Sequence, residues 1–137
     1  MLAELVVDAS VVAKFYFHED GSERAQSILT SGLVLAAPDL LRIEVANLAA
    51  RKFRLGLATR DRAREAVASL GDLIDEFAAD GDLANGAFRL AADSGCSAFD
   101  ATYLSMAQDR GLRVLTADQR LVQRAQGAGV GHLVQAL

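Results

Sequence analysis

Four carboxylates carry most of the chemistry this sequence offers. They are Asp8 in LVVDASVVAKF, Glu44 in PDLLRIEVANLAA, Asp100 in SAFDATYLSMA and Asp118 in RVLTADQRL. Each stands at the end of a short apolar run or in the opening half of a helical pattern. They are spread over 110 residues, from position 8 to position 118. An open α/β sheet lines up the C-terminal ends of its strands along one edge, so side chains so placed can meet in space. Carboxylates that meet there repel one another unless a cation lies between them. No His or Cys cluster accompanies them, so the cation they suit is a hard, oxygen-seeking one, Mg²⁺ or Mn²⁺. Such a set points to phosphoryl chemistry, with hydrolysis of a nucleic acid as the leading expectation. Four acids allow either one metal or two.

Each acid also has a purely structural reading. Asp8 could cap the helix that follows its strand. Asp100 lies three residues after Ser97, the S-x-x-D spacing of a capping box. Asp118 could cap QRLVQRA, although Thr116 with Gln119 already supplies a capping-box spacing. Glu44 sits inside the apolar run Leu40, Leu41, Ile43, Val45 and Leu48. It shares a helix face with Asn47 and Arg51, which is either a functional stripe or the solvent side. The functional reading rests on the four together.

The elements that must position these residues alternate. ELVVDA, LVLAA and RVLTA read as short buried strands, and VGHLVQAL as a last one. VVAKFYF, SERAQSILTSG, DLLRIEVANLAARKFRL, a segment from Thr59 through Leu70, LANGAFRLAADSG, SAFDATYLSMAQDRG and DQRLVQRAQGAG read as helices. Gly56, Gly95 and Gly111 stand at three of their C-terminal ends. Residues 72–82 stay open between a continued helix and a short strand. The expected fold class is α/β, one domain over residues 1–137. Its parallel sheet of four to five strands would have right-handed crossovers and helices on both faces.

Composition narrows the classes. At 137 residues, about half of them apolar, the chain can bury a proper core. The lone Cys96 cannot form an internal disulfide, which fits a reducing cytoplasm. Glu4 and Asp8 interrupt the only apolar stretch near the start, so no signal peptide is expected. No run reaches the roughly 18 apolar residues of a membrane span. The formal charge is −4, from 14 basic and 18 acidic residues. Without the four candidate site acids the remainder balances, 14 against 14. One segment is strongly basic: Arg51, Lys52, Arg54, Arg60, Arg62 and Arg64 against Asp61 give +5 in 14 residues. It is either a solvated helix turn or a patch for RNA phosphates. Tyr16 and Tyr103 are candidates for stacking on bases or for packing in the core.

At these residues the chain resembles the PIN domain, and within it the VapC-type ribonuclease toxins of toxin–antitoxin operons. The opening VVDASVVAKF, the E-V-A-N segment, FDATYLSMA and LTADQRL carry the resemblance over nearly the whole length. It implies a metal-dependent endoribonuclease leaving a 5′-phosphate and a 3′-hydroxyl, with Asp8, Glu44, Asp100 and Asp118 around a divalent metal. Ser10 and Thr116 match the family's small hydroxyl positions, and Asn47 a polar neighbour of the second acid. The resemblance further implies a two-fold homodimer and a cognate antitoxin that places a basic side chain in the acidic site. Residues 72–86 depart from the family pattern by lacking a β-rich run.

Other classes fit less well. A haloacid-dehalogenase-type phosphatase needs D-x-D after its first strand, and position 10 is Ser10. A receiver domain needs an acidic pair there and a Lys after its last strand, and no Lys follows Lys52. A catalytically inactive PIN-like RNA-binding or protein-interaction module is the alternative. It would normally lack one of the acids.

Overall fold

In the computed structural model, which describes residues 3–137, the β-branched run ELVV forms strand β1 (Glu4–Val7) at the centre of a five-stranded sheet. Helices α1 (Ala9–Tyr16) and α2 (Ser22–Leu29) lead to β2 (Val34–Pro38), and α3 (Leu40–Arg54), α4 (Arg60–Ala68) and α5 (Leu70–Leu73) to β3 (Glu76–Ala78). The chain continues through α6 (Asp80–Ser94), α7 (Ala98–Arg110), β4 (Val114–Thr116), α8 (Gln119–Gly127), a 3-10 turn (Gly131–Leu133) and β5 (Val134–Ala136). All four strand pairings are parallel and the order is β3-β2-β1-β4-β5. From β1 the sheet grows outward to β3, then the chain returns to lay β4 on the other side of β1. The crevice beyond the C-terminal ends of β1 and β4 is therefore the topological switch point, where open α/β sheets place their ligands.

Successive residues of the inner strands are all shielded: Val6 and Val7, Ala36 and Ala37, and Val114 and Leu115 are each at most 1% exposed. Neighbouring strand residues point to opposite faces, so both faces of the sheet are covered. The expected parallel α/β architecture is what the chain adopts.

The open segment 72–82 contains a strand of three residues, EFA, and it lies at the sheet edge. Asp75 prepares it. Its N–H donates to the Leu35 carbonyl at 2.9 Å and its Oδ2 accepts from the Leu35 N–H at 2.8 Å. An edge strand pairs on one side only and needs no long apolar run, which is why residues 72–86 carry no β-rich signature.

Helix α7 runs against the strand direction, its first turn at the switch point and its last turn at the opposite edge. There Arg110 reaches Glu76 at 2.9 Å and Glu4 at 3.8 Å. Its partner α6 lies unusually close. A Cβ built on Gly86 would come within 2.2 Å of Ser105 Oγ, so only glycine permits this approach. Gly95, with φ +77°, ends α6 and turns the chain into α7. These contacts fix where the start of α7, and with it Asp100, sits.

Candidate active site

Asp8 follows β1 directly and is 8% exposed. It caps α1: Oδ1 accepts from the backbone N–H groups of Ser10 at 3.1 Å and Val11 at 3.3 Å, and from the Ser10 hydroxyl at 2.6 Å. Its other oxygen, Oδ2, accepts from the Thr116 hydroxyl at 2.5 Å. The structural and the functional reading of Asp8 are thus compatible, because the cap uses one oxygen and the second points across to β4. Burial pushes its pKa up from 3.8 to about 6, against the lowering pull of these hydrogen bonds.

Two hydroxyls tie Asp8 to the strand beside it. Thr116 Oγ1 accepts from the Asp118 N–H at 3.0 Å, and Ser10 Oγ accepts from the Ala117 N–H at 2.8 Å. Thr116 is fully buried. It does not cap α8, as its spacing to Gln119 allowed. Asp118 is the cap, accepting from the Arg120 N–H at 2.9 Å.

Glu44 projects from the first half of α3 and is half-buried. Its Oε1 accepts from the Tyr103 hydroxyl at 2.5 Å. Burial raises its pKa. The Tyr103 hydrogen bond opposes that, and the negative charges of Asp8, Asp100 and Asp80 add to it. Glu44 therefore feels two of the other three candidate acids, plus one that sequence reasoning had not singled out. Asp80 opens α6, immediately beyond the edge strand, and its Oδ1 accepts from the Leu40 N–H at 3.0 Å. The signal was an acid just after a strand, hidden because the three-residue strand itself was illegible. Tyr103, 3% exposed, is core on its ring and a donor at its tip. Burial, then the neighbouring Glu44 charge, hold that hydroxyl protonated. Its spacing of three from Asp100 on one helix was the available clue. Tyr16 is likewise buried, its hydroxyl accepting from Ser69 Oγ at 3.0 Å, so neither tyrosine offers a face to a base.

Asp100 sits in the first turn of α7. Ser97 caps that turn, its Oγ accepting from the Asp100 N–H at 3.1 Å. The Asp100 carboxylate does not complete the capping box. Its Oδ2 accepts from Arg124 Nη2 at 2.7 Å. Arg124 had no local sequence signal, since the contact depends on how α8 packs beside α7. Asn47 is exposed one turn after Glu44, and among the described residues no side-chain hydrogen bond ties it to the acids.

The basic segment does not act as one block. Lys52 donates to Glu19 Oε2 at 2.6 Å, and Arg62 Nε donates to the Tyr16 carbonyl at 2.7 Å. Arg60 stacks over Phe53, 4.5 Å from the ring centroid. Arg54, Arg60 and Arg64 border a cavity of about 870 Å³ between α3 and α4, with Ala46, Ala49 and Phe53 among its lining residues. Arg54 stands ten residues beyond Glu44, about 15 Å along the helix axis.

The donor set at the switch point is all oxygen, which suits a hard divalent cation. A buried Asp8 with no cationic partner among the described residues, and a Glu44 whose charge is disfavoured by burial and by three neighbouring acids, mark an excess of negative charge that such a cation would neutralise. In that sense the residues fit the metal. Glu44 feels the charges of Asp8 and Asp100, yet among the described residues no three acidic, His or Cys side chains are gathered into a ready ligand group.

Comparison with known proteins bears on family and fold. The PIN domain profile matches residues 5–127. Ribonuclease VapC3 of Pyrobaculum aerophilum is 32% identical over 123 residues, which cover 88% of this chain and 94% of that protein. The crystal structure of PAE2754 from Pyrobaculum aerophilum superposes with a TM-score of 0.70 at 24% identity, covering 91% of this chain and 81% of that one. The last comparison speaks for the fold.

Proposed function

The chain belongs to the PIN-domain family, and from that premise we propose that it is a metal-dependent endoribonuclease, the toxin of a VapBC-type toxin–antitoxin pair. The observation that carries the reading is the charge imbalance at the switch point. Among the described residues a carboxylate at 8% exposure is held by two hydroxyls rather than a cation, and a second, half-buried carboxylate nearby is disfavoured by its burial and by three neighbouring acids. The uncompensated negative charge opposes the stability that the Asp8 cap contributes, so it speaks for function. The non-catalytic alternative is weaker, because all four acids are present.

In this reading Asp8 and Asp100 are the principal metal ligands, with Glu44 and Asp118 acting directly or through water. Bound Mg²⁺ or Mn²⁺ would lower the pKa of water and neutralise charge growing on the phosphate oxygens. The chain's own residues do the positioning. Ser10 and Thr116 fix the direction of Asp8 and join it to the backbone that carries Asp118. Tyr103 fixes Glu44 and remains protonated while doing so. The test is cleavage of total RNA with Mn²⁺ or Mg²⁺ against EDTA, for the natural chain and Asp8→Asn. Equal cleavage in EDTA, or by the variant, overturns the mechanism.

Two assemblies belong to the same proposal. Leu55, Leu57 and Val67 are exposed large apolar residues near the α3–α4 cavity. An apolar surface of this kind on a small domain favours a two-fold homodimer or an antitoxin helix lying in the groove, with Arg54, Arg60 and Arg64 as a rim for acidic groups. Arg51 completes the side chains of the basic segment that neither Glu19 nor the Tyr16 carbonyl engages. A stable monomer in sedimentation at micromolar concentration overturns the dimer. No helix among the described residues is long and apolar enough to cross a membrane, and the reading places the protein in the cytoplasm with its RNA.

A further inference from the structure

The four acids are held in two ways. Asp8 and Glu44 are held by hydroxyls, from Ser10, Thr116 and Tyr103. Asp100 and Asp118 instead face guanidinium groups, both from α8. Arg124 Nη2 lies 2.7 Å from Asp100 Oδ2, and Arg120 Nε lies 3.9 Å from Asp118 Oδ1. Buried Leu121 and Ala125 fix the roll of α8. Arg120 and Arg124, four apart, therefore form one stripe along it. The two pairs differ in quality. Arg124 makes a short, charge-assisted hydrogen bond to a carboxylate whose side chain is 26% exposed, whereas Arg120 is 85% exposed and beyond hydrogen-bond distance.

We propose that Arg124 is a resident counter-ion of the site: it holds Asp100 in the metal-free protein and gives it up when a divalent cation binds. The proposal rests on the metal-dependent reading above. Three observations carry it. Asp100 Oδ2 can accept strongly from Arg124 or donate its electrons to a metal, so guanidinium and metal compete for that one oxygen. Arg124 is 44% exposed in its side chain, so it has open solvent into which to withdraw. Finally, no ligand group is closed among the described residues, and of the four acids Asp100 is the one whose carboxylate hydrogen-bonds a cationic side chain from another element. A displaced Arg124 remains beside the site on a flexible stem, where an RNA phosphate is its natural next partner. Metal and RNA would then favour each other's binding, since each takes one member of the pair. Arg124 is thus a positioning residue that acts through Asp100.

The experiment is Mn²⁺ titration by calorimetry without RNA, on the full chain and on Arg124→Gln, Arg124→Lys and Arg120→Gln. Arg124→Gln should bind Mn²⁺ about two- to fivefold more tightly, the range of a partly exposed ion pair. Arg124→Lys should stay near the natural chain, and Arg120→Gln should change less than Arg124→Gln. In an Asp100→Asn background the effect of Arg124→Gln should vanish. A merely structural role predicts the opposite, a lower melting temperature with equal or weaker Mn²⁺ binding, and that result overturns the proposal. If no variant binds Mn²⁺ at all, the metal-dependent reading fails together with it, which is recognisably different from equal binding by both chains.

Discussion

The inner and outer halves of the acid cluster are built on opposite plans. The inner half, around Asp8, is enclosed: its carboxylate receives four hydrogen bonds, and its partner Thr116 is fully buried. The outer half, around Asp100 and Asp118, stands on the first turn of one helix and the cap of another, partly open to solvent and facing solvent-exposed arginines. Both halves hold carboxylates, yet the inner one is fixed by enclosed hydroxyls and the outer one by solvent-accessible partners. Pre-positioning one anchor and leaving its counterparts exchangeable lets a site be specific without being closed.

Asp8→Asn should strike hardest. Replacing the enclosed carboxylate keeps the shape but removes the charge, and on the proposed mechanism cleavage should fall by at least about a hundredfold, more than the loss of an outer-shell partner costs. The metal-free variant should also melt at a higher temperature near neutral pH, because a disfavoured buried charge is gone. A lower melting temperature would mean that the hydrogen bonds outweigh burial.

Thr116→Val tests the hydroxyl bridge. It is nearly isosteric, but it leaves Asp8 Oδ2 and the Asp118 N–H without their shared partner. The expected result is a loss of about ten- to a hundredfold in metal affinity or cleavage. Stability should drop by about 1–3 kcal/mol. An unchanged variant would show that the inner half is not pre-positioned by this residue.

The pH dependence of stability distinguishes the halves without chemistry. The folded chain keeps the Asp8 proton up to about pH 6, whereas the ordinary value is 3.8. The native state therefore binds more protons across that interval, and stability falls as pH rises through it. Melting temperatures of the metal-free protein should decline from pH 4 to pH 7. Glu44, also raised, acts in the same direction, and Glu19, lowered by its lysines against an opposing desolvation, acts against it. The decline should therefore be judged as the difference between the natural chain and Asp8→Asn. Saturating Mn²⁺ should abolish that part of the decline. Identical profiles for the two chains would contradict the enclosed character of Asp8.

Ser97→Ala gives the smallest effect and probes the outer half. Loss of the cap should cost about 1 kcal/mol and loosen the turn that carries Asp100. Cleavage should weaken only severalfold, because that half is exchangeable by construction. A loss as large as that of Thr116→Val would erase the contrast.

Much of this was legible beforehand, for identifiable reasons. The inner strands and the long helices announce themselves by β-branched runs and by glycine at helix ends. Asp8 and Asp118 were found because the end of a central strand is a place the sequence marks clearly. Ser10 and Thr116 sit beside them in the chain and were found with them. What escaped depends on packing. The strand Glu76–Ala78 is too short to leave a pattern, and Asp80 was overlooked along with it. Tyr103 looked like an aromatic that would pack or stack, and its hydroxyl role appears only once α7 lies beside α3. Arg124 pairs with a residue 24 positions away on another helix, and no local rule reaches that far. The basic segment was read as a unit, but Lys52 and Arg62 are engaged within the chain.

The strand order also sets a schedule. β1 precedes the other four strands of the sheet in the chain, yet its neighbour at the crevice is β4, and Asp8 meets Thr116 across a separation of 108 residues. Parallel pairing at such range forms late, because a long loop must close before the contact repays it. A growing chain that has made β1, β2 and β3 already carries Asp8 and Glu44, but lacks the strand that aims Asp8 and the helix that bears Asp118. For the nuclease proposed above, harm would thereby be deferred until β4 and α8 have docked beside β1. A partner present at that moment could intercept the enzyme as it becomes competent, with no need to guard it while it is being made.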